Sequence, residues 1–453
     1  MNGKDVDHVS DQVLGSGDPM LSADDGRSSL FFDPLLETTS LALRTVVANV
    51  VSNYDRLMPA RRRVRRDKDQ LALERIIAAI YANLAAVLVS GHQPPKVAVK
   101  LGKAATGPTR YDAEGFGQLG KVLEAFANAG LLALNKSRKI GIASSIEPNA
   151  QLVELVRTLK LDWSRFRQAD HGESIVLSVP TRDSIGRSRP GTLIDYPETD
   201  ETRQLRDEMA VINQALRDAD IGFVADGIEQ PKTYERRLRR IFNMAAVPDE
   251  VTPISFKAGG RLYGGWWQSL KRSRRHGVRI DGAAIVDLDF SAMYLNLAYL
   301  HVGLKPPHGD LYSGILPDHE SHIHRDGIKQ VVSAMLSRTG VMTRLPSEAK
   351  LDLPRTANAA SMRAAIIRRH PALAQAFECG LALSLTRTES DILVAVLLKL
   401  IAAGVTALPM HDGLMVHPRH ADLAETVMGD IAESMVGVRL PIKRKAMSDP
   451  STH

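Results

Sequence analysis

Two short apolar runs, each delivering an aspartate at a turn, constrain this chain more than any other feature. In Ile285-Val286-Asp287-Leu288-Asp289-Phe290-Ser291-Ala292-Met293-Tyr294 a strand pattern reaches Asp289 and gives way to a helical one. In Leu408-Pro409-Met410-His411-Asp412-Gly413-Leu414-Met415-Val416-His417 a His-Asp-Gly turn joins two runs of strand length, which places Asp412 at a hairpin tip. Two-metal phosphoryl transfer needs such an arrangement. Carboxylates from separate elements hold ions roughly 4 Å apart, one activating the attacking hydroxyl and one steadying the leaving phosphate. Asp287, inside the first run, reads as a strand-edge acid.

Charge points to a polyanionic partner. The chain carries +6, but residues 1–40 hold eight acids against Lys4 and Arg27, a tail of −6 that leaves +12 on residues 41–453. Basic clusters at 61–66, 236–240, 271–275 and 443–445 are the places to expect phosphate contacts, against the plainer expectation of solvated faces. The single cysteine, Cys379, excludes an internal disulfide framework and fits a reducing cytoplasm. No run reads as a membrane span, since the most apolar stretch, 392–398, is broken by Lys399, Gly404 and Pro409.

At 453 residues, length favours two or three lobes of mixed α/β (α+β) class. Residues 1–40 are too polar to repay ordering and are expected as a flexible acidic tail. Residues 41–178 read as a helical region. Leu71, Leu73, Ile76, Ile77, Ile80, Leu84 and Val87 mark a long helix, followed by a shorter one over 117–129 and β-like pieces at 131–134 and 140–143. Helix, tight turn and basic hairpin in that order suggest a winged helix, with Lys136, Arg138 and Lys139 in the wing. Residues 179–200 read as a linker, Thr199 or Asp200 as the cap of the next helix, and 201–258 as a helical connector. Asp112-Ala113-Glu114 reads as an acidic helix start rather than a nuclease site. Trp266-Trp267 suits either a core or a surface on which bases stack.

The Asp289 and Asp412 segments resemble motifs A and C of family A DNA polymerases and their relatives, the single-subunit phage-type RNA polymerases. Between them, Arg325-Asp326-Gly327-Ile328-Lys329 has the Arg-x-x-x-Lys spacing of that family's motif B, and Gly260-Arg261 resembles its short Gly-Arg motif. The motifs stand in the family's order over about 259–437. The resemblance implies a right-hand palm with helical fingers over 259–453 and a thumb-like role for the connector. It further implies Asp289 and Asp412 as ligands of two Mg2+ ions (Mn2+ would serve), and Arg325 and Lys329 on one helix face toward a nucleoside triphosphate. Gly260 and Arg261 would lie on a primer–template duplex, and His411 would orient the primer end. Tyr294 stands where the family's DNA polymerases carry a Glu that blocks a ribose 2′-hydroxyl. Three other positions depart from the pattern: Gly413 follows His-Asp in place of Glu or Ser, and Ser333 and Ser337 replace the fingers aromatics.

The expectation is therefore a template-directed nucleotidyltransferase of phage or plasmid type, most simply a DNA polymerase without proofreading. Three alternatives stay open. One is an RNA polymerase or primase on the same palm, and another is a DNA-binding replication or mobile-element protein whose palm is degenerate. The third is a His-Asp phosphohydrolase, which would want His411-Asp412 on a helix rather than in a hairpin.

Overall fold

The computed structural model describes residues 30–58, 63–101, 109–112, 115–137, 139, 142–182, 188–249 and 252–446. Among them the protein is mixed α/β, with twelve α-helices and five small sheets. It divides into two compact units, one of residues 23–173 with 232–236, the other of residues 174–231 and 237–453.

The smaller unit begins inside the segment expected to be a tail. Residues 1–29 lie outside the described residues, but β1 (Leu30–Phe31) and β2 (Leu36–Thr38) are strands. Leu30 and Leu36 are buried, an apolar grip that the average composition of 1–40 conceals. Then come α1 (Leu41–Asn53), capped by Ser40, and α2 (Asp67–Val89). Asp67 and Asp69 complement the dipole in the first turn of α2, and Leu73, Ile76, Ile77, Ile80, Leu84 and Val87 are buried. By length and composition α2 would suffice to cross a membrane; here its apolar surface makes the core of the unit.

β3 (Val97–Val99), α3 (Leu119–Asn128), β4 (Leu132–Asn135), β5 (Ser144–Pro148), α4 (Ala150–Leu159) and β6 (Phe166–Gln168) complete the unit. The main sheet runs β1-β3-β5-β4, and β2 pairs with β6. α3 turns Leu119, Val122, Leu123 and Phe126 inward, each burial contributing about 1.5–3 kcal/mol. The second β-like piece falls later than expected, because Ile146, not Ile142, reaches the core. Of the Asp112-Ala113-Glu114 run only Asp112 is described, and its carboxylate accepts from the Thr109 backbone and hydroxyl at 2.7 and 3.0 Å as a turn residue.

The larger unit opens with β7 (Ile175–Arg182) and β8 (Ser188–Leu193), so the expected linker is a hairpin. Its Gly and Pro content serves the register shift at Val179/Thr181 and a close approach at Gly191, where a Cβ would stand 2.9 Å from the Val179 carbonyl oxygen. Thr199 caps α5 (Asp200–Asp218) in a capping box with Thr202. The expected helical connector is helical only there; β9 (Ile221–Phe223) and β10 (Arg239–Asn243) follow. Next are β11 (Gly259–Tyr263), β12 (Val278–Ile280), β13 (Ala283–Ala284), β14 (Val286–Phe290) and α6 (Met293–His301). α7 (Asp318–Ser321), α8 (Arg325–Ser337), α9 (Ala349–Asp352), α10 (Ala359–Arg369) and α11 (Ala382–Ala402) form a helical stretch. The chain ends in β15 (Ala407–Met410), β16 (Gly413–Val416), α12 (Ala421–Val436) and β17 (Ile442–Ala446).

Three sheets result, β11-β10-β7-β8, β13-β12-β9 and the antiparallel β15-β16-β14-β17. α11 is buried along most of its length and packs against β11, α12, α5 and α6. The basic clusters have mixed fates. Arg61 and Arg62 lie outside the described residues, Arg65 pairs with Asp55, and Arg274 with Asp226. Arg240, expected on phosphate, is buried instead and spans Glu208, Asp391 and the Gly260 carbonyl, because β10 is an inner strand that needs its side chains in the core.

Candidate active site

Strand register builds the site. On one side β14 pairs Asp289 with Gly413 and Asp287 with Met415; on the other, Asp289 with Lys443 and Asp287 with Lys445. Directly opposed residues point to the same face of a sheet. Asp287, Asp289, Lys443 and Lys445 therefore share one face, and Asp412, one residue before Gly413, stands at its edge.

Gly413 has a reason to be glycine. A Cβ there would lie 2.3 Å from the Asp289 Oδ1 atom and 2.4 Å from the Leu288 carbonyl oxygen, so a larger residue would displace the acid. His411 makes the turn with φ +49. The hairpin is pinned from below: the Trp267 indole donates to the Pro409 carbonyl at 3.0 Å and Gln268 Nε2 donates to it at 3.2 Å. Trp266 and Trp267 are both buried, which settles that pair as core.

The acids crowd one another. Burial pushes the Asp412 carboxyl up to about 7, with Glu389 and Asp289 adding to the rise against Arg261 and His411. Asp287, only 4% exposed, is pushed up to about 6 by burial and Asp289, against Lys445, Arg275 and Arg272. Asp289 Oδ2 accepts from Lys445 Nζ at 2.7 Å. Among the described residues no group of three or more His, Cys, Asp or Glu side chains is placed so as to hold a metal ion. The donor set there is carboxylate oxygen, from Asp289 on β14 and Asp412 in the β15–β16 turn, the hard ligand type that a divalent ion such as Mg2+ takes.

Arg261 sits differently from its expected place on a duplex. Its Nε and Nη2 atoms donate to the two Glu389 oxygens at 2.7 and 3.2 Å, and Nη2 also donates to the Tyr294 hydroxyl at 2.9 Å. Tyr294 and Thr386 hydroxyls meet at 2.8 Å; Thr386 donates to the Ala382 carbonyl, so Tyr294 donates to Thr386. Burial, with Glu389 adding, raises the Tyr294 hydroxyl well above the usual phenol range and keeps it protonated. Gly260 lies at φ +94, where a Cβ would come within 2.9 Å of the Phe242 ring.

Arg325 and Lys329 are one turn apart on α8, and each has an acid partner. Arg325 makes a two-pronged contact with Asp310 at 2.9 and 3.1 Å and lies 4.9 Å over the Tyr312 ring, while Lys329 is 3.3 Å from Asp326. Burial raises the Tyr312 hydroxyl against the opposing charge of Arg325, with Asp412 and Asp310 adding smaller increases.

Two participants, Glu389 and Tyr312, were not singled out from sequence, and Lys445 was named there only as part of a basic cluster. Glu389 had a signal, an acid on the apolar stripe formed by Leu385, Ile392, Leu393 and Val396. Lys445 stood in a basic cluster expected on phosphate, and only strand pairing places it on Asp289. Tyr312 had none.

No protein-family model and no curated protein matches the chain. Among solved structures it is similar to the POL domain of Pol1 from M. smegmatis in complex with DNA primer-template and dNTP. That likeness has 12% identity and a TM-score of 0.22, covering 94% of this chain and 68% of that one.

Proposed function

We propose that the larger unit is a template-directed nucleotidyltransferase, most simply a DNA polymerase without proofreading, built as a palm with helical fingers. The observation that carries this is the pairing of Asp289 with Gly413, which sets the aspartates of two separate sequence motifs at one end of one sheet. Asp289 and Asp412 would hold Mg2+, which when bound supplies charge stabilisation to the transferring phosphoryl group. Asp287, largely buried behind them, tunes the field without needing to be a ligand.

The remaining roles follow from position. Arg325 and Lys329 would exchange their acid partners for a triphosphate, a trade of one anion for a stronger one. His411, in the turn beside Asp412, would face the primer end. Tyr294, its hydroxyl held by Arg261 and Thr386, would present a fixed ring edge to the sugar. Arg261 then acts as a strut behind Tyr294, and β11 would approach a duplex through its Gly259-Gly260 backbone. For the smaller unit, the order α2, β3, α3, β4, β5, with β5 between β3 and β4, supports a winged helix on duplex DNA. Lys136 and Lys139 are exposed there; Arg138 lies outside the described residues.

Primer extension with labelled deoxy- and ribonucleotides on a primed template tests the reading. Incorporation of deoxynucleotides is expected, and Tyr294→Ala should admit ribonucleotides about 10–200-fold more readily, the range a pocket's shape contributes. No incorporation of either sugar under Mg2+ or Mn2+ would refute the assignment.

A further inference from the structure

The Lys445 ammonium lies where a cation bound to Asp289 would compete with it. Its Nζ is 2.7 Å from Asp289 Oδ2, and the pair is only partly withdrawn from solvent, with side-chain exposures of 33% and 26%. The placement follows from sequence. Ile442-Lys443-Arg444-Lys445-Ala446 alternates along an edge strand, so Lys443 and Lys445 point to the acid face while Arg444 points away toward Asp422. Edge strands commonly carry lysine to discourage further pairing. That accounts for a lysine on the strand but not for its contact with one particular carboxylate.

We propose that Lys445 is a built-in counter-cation of the acidic centre, a positioning residue that holds Asp289 in place when no metal is bound and must be displaced for a divalent ion to load. The inference rests on Asp289 being a metal ligand and goes beyond it by assigning a competitor. Two effects combine. Each divalent ion entering near Asp289 must break an existing ion pair, and it does so beside an ammonium of like charge. An aspartate whose partner is partly solvated can release it at modest cost. The lysine thus weakens binding of the metal by itself without closing the site.

Mn2+ binding, followed by loss of the free-ion electron paramagnetic resonance signal, reads this without turnover. Lys445→Met and Lys445→Gln should bind Mn2+ about tenfold more tightly than wild type, while Lys445→Arg, which keeps the charge, should not. Circular dichroism identifies a variant that has not folded, and having two neutral variants leaves the comparison intact if one fails. Equal Mn2+ affinity in both neutral variants and wild type, with Asp289→Asn weaker than all, would overturn the role of Lys445 and leave Asp289 as a ligand. If Asp289→Asn binds Mn2+ as wild type does, the ligand assignment fails and takes this inference with it.

Discussion

Two cations flank the same acidic centre and are held in opposite ways. Arg261 lies on the α11 side, where it and Glu389 have side-chain exposures of 9% and 2%, and its guanidinium is shared between Glu389 and Tyr294. Lys445 lies on the β17 side, three to four times more open, with Asp289 as its acid. Burial separates their roles. A buried ion pair cannot lose one partner without stranding the other in a poor solvent, whereas a half-open pair can exchange its partner for water or another ion. On the inference drawn above, the α11 side is a frame and the β17 side is where charge would be exchanged.

The largest expected effect falls on the acids themselves. On the proposed reading, Asp289→Ala and Asp412→Ala should each lower nucleotide incorporation by about ten-thousandfold, since each would remove a ligand for the ions that steady phosphoryl transfer. Their cation-free thermal midpoints should not fall, because each change relieves a carboxylate that crowds its neighbours. A large drop in midpoint would mean the acids are structural, and the division between frame and exchange site would collapse.

Breaking the frame comes next. Glu389→Ala should cost about 3–5 kcal/mol in urea unfolding, the usual penalty for stranding a buried charge. An Arg261→Met/Glu389→Leu double variant should recover much of that loss while leaving Tyr294 without its strut. Recovery of stability without recovery of sugar discrimination would sharpen the assignment of Arg261 to Tyr294.

Much of this frame was legible in the sequence and some was not. The apolar periodicity over 71–87 located α2 closely, and the change from strand to helical pattern after Asp289 located α6. The two acid-bearing runs announced β14 and the β15–β16 hairpin. Failures came where charge or turn residues masked a strand. Residues 179–200 were expected to be a linker because the stretch is polar and carries Pro and Gly, yet it supplies β8 and the end of β7 in an irregular pairing. β17 went unseen because Lys443, Arg444 and Lys445 suggest surface, and only pairing with β14 makes them a strand. At the site, Asp289 and Asp412 were visible as local signals. Glu389 depended on a packing partner 128 residues away, which no local pattern encodes.

Gly413 tests the ground between frame and exchange site. Gly413→Ala should cost about 1–3 kcal/mol, since its Cβ would overlap the Asp289 carboxylate and the Leu288 carbonyl in a packed sheet. Incorporation should fall further than the stability loss alone explains, because the side chain that moves is the candidate ligand. A stable, fully active Gly413→Ala would show that Asp289 tolerates displacement.

The smallest effect should be on stability at Lys445. Neutralising it by Lys445→Met should change the unfolding free energy by less than about 1 kcal/mol, the range of partly exposed pairs. The gain from removing a pair-bound ammonium is offset by leaving Asp287 and Asp289 without their nearest positive neighbour on β17. Set against Glu389→Ala in the same urea titration, the two values measure the contrast directly. If Lys445→Met costs as much as Glu389→Ala, the β17 pair is as structural as the α11 pair, and the site has two frames and no yielding side.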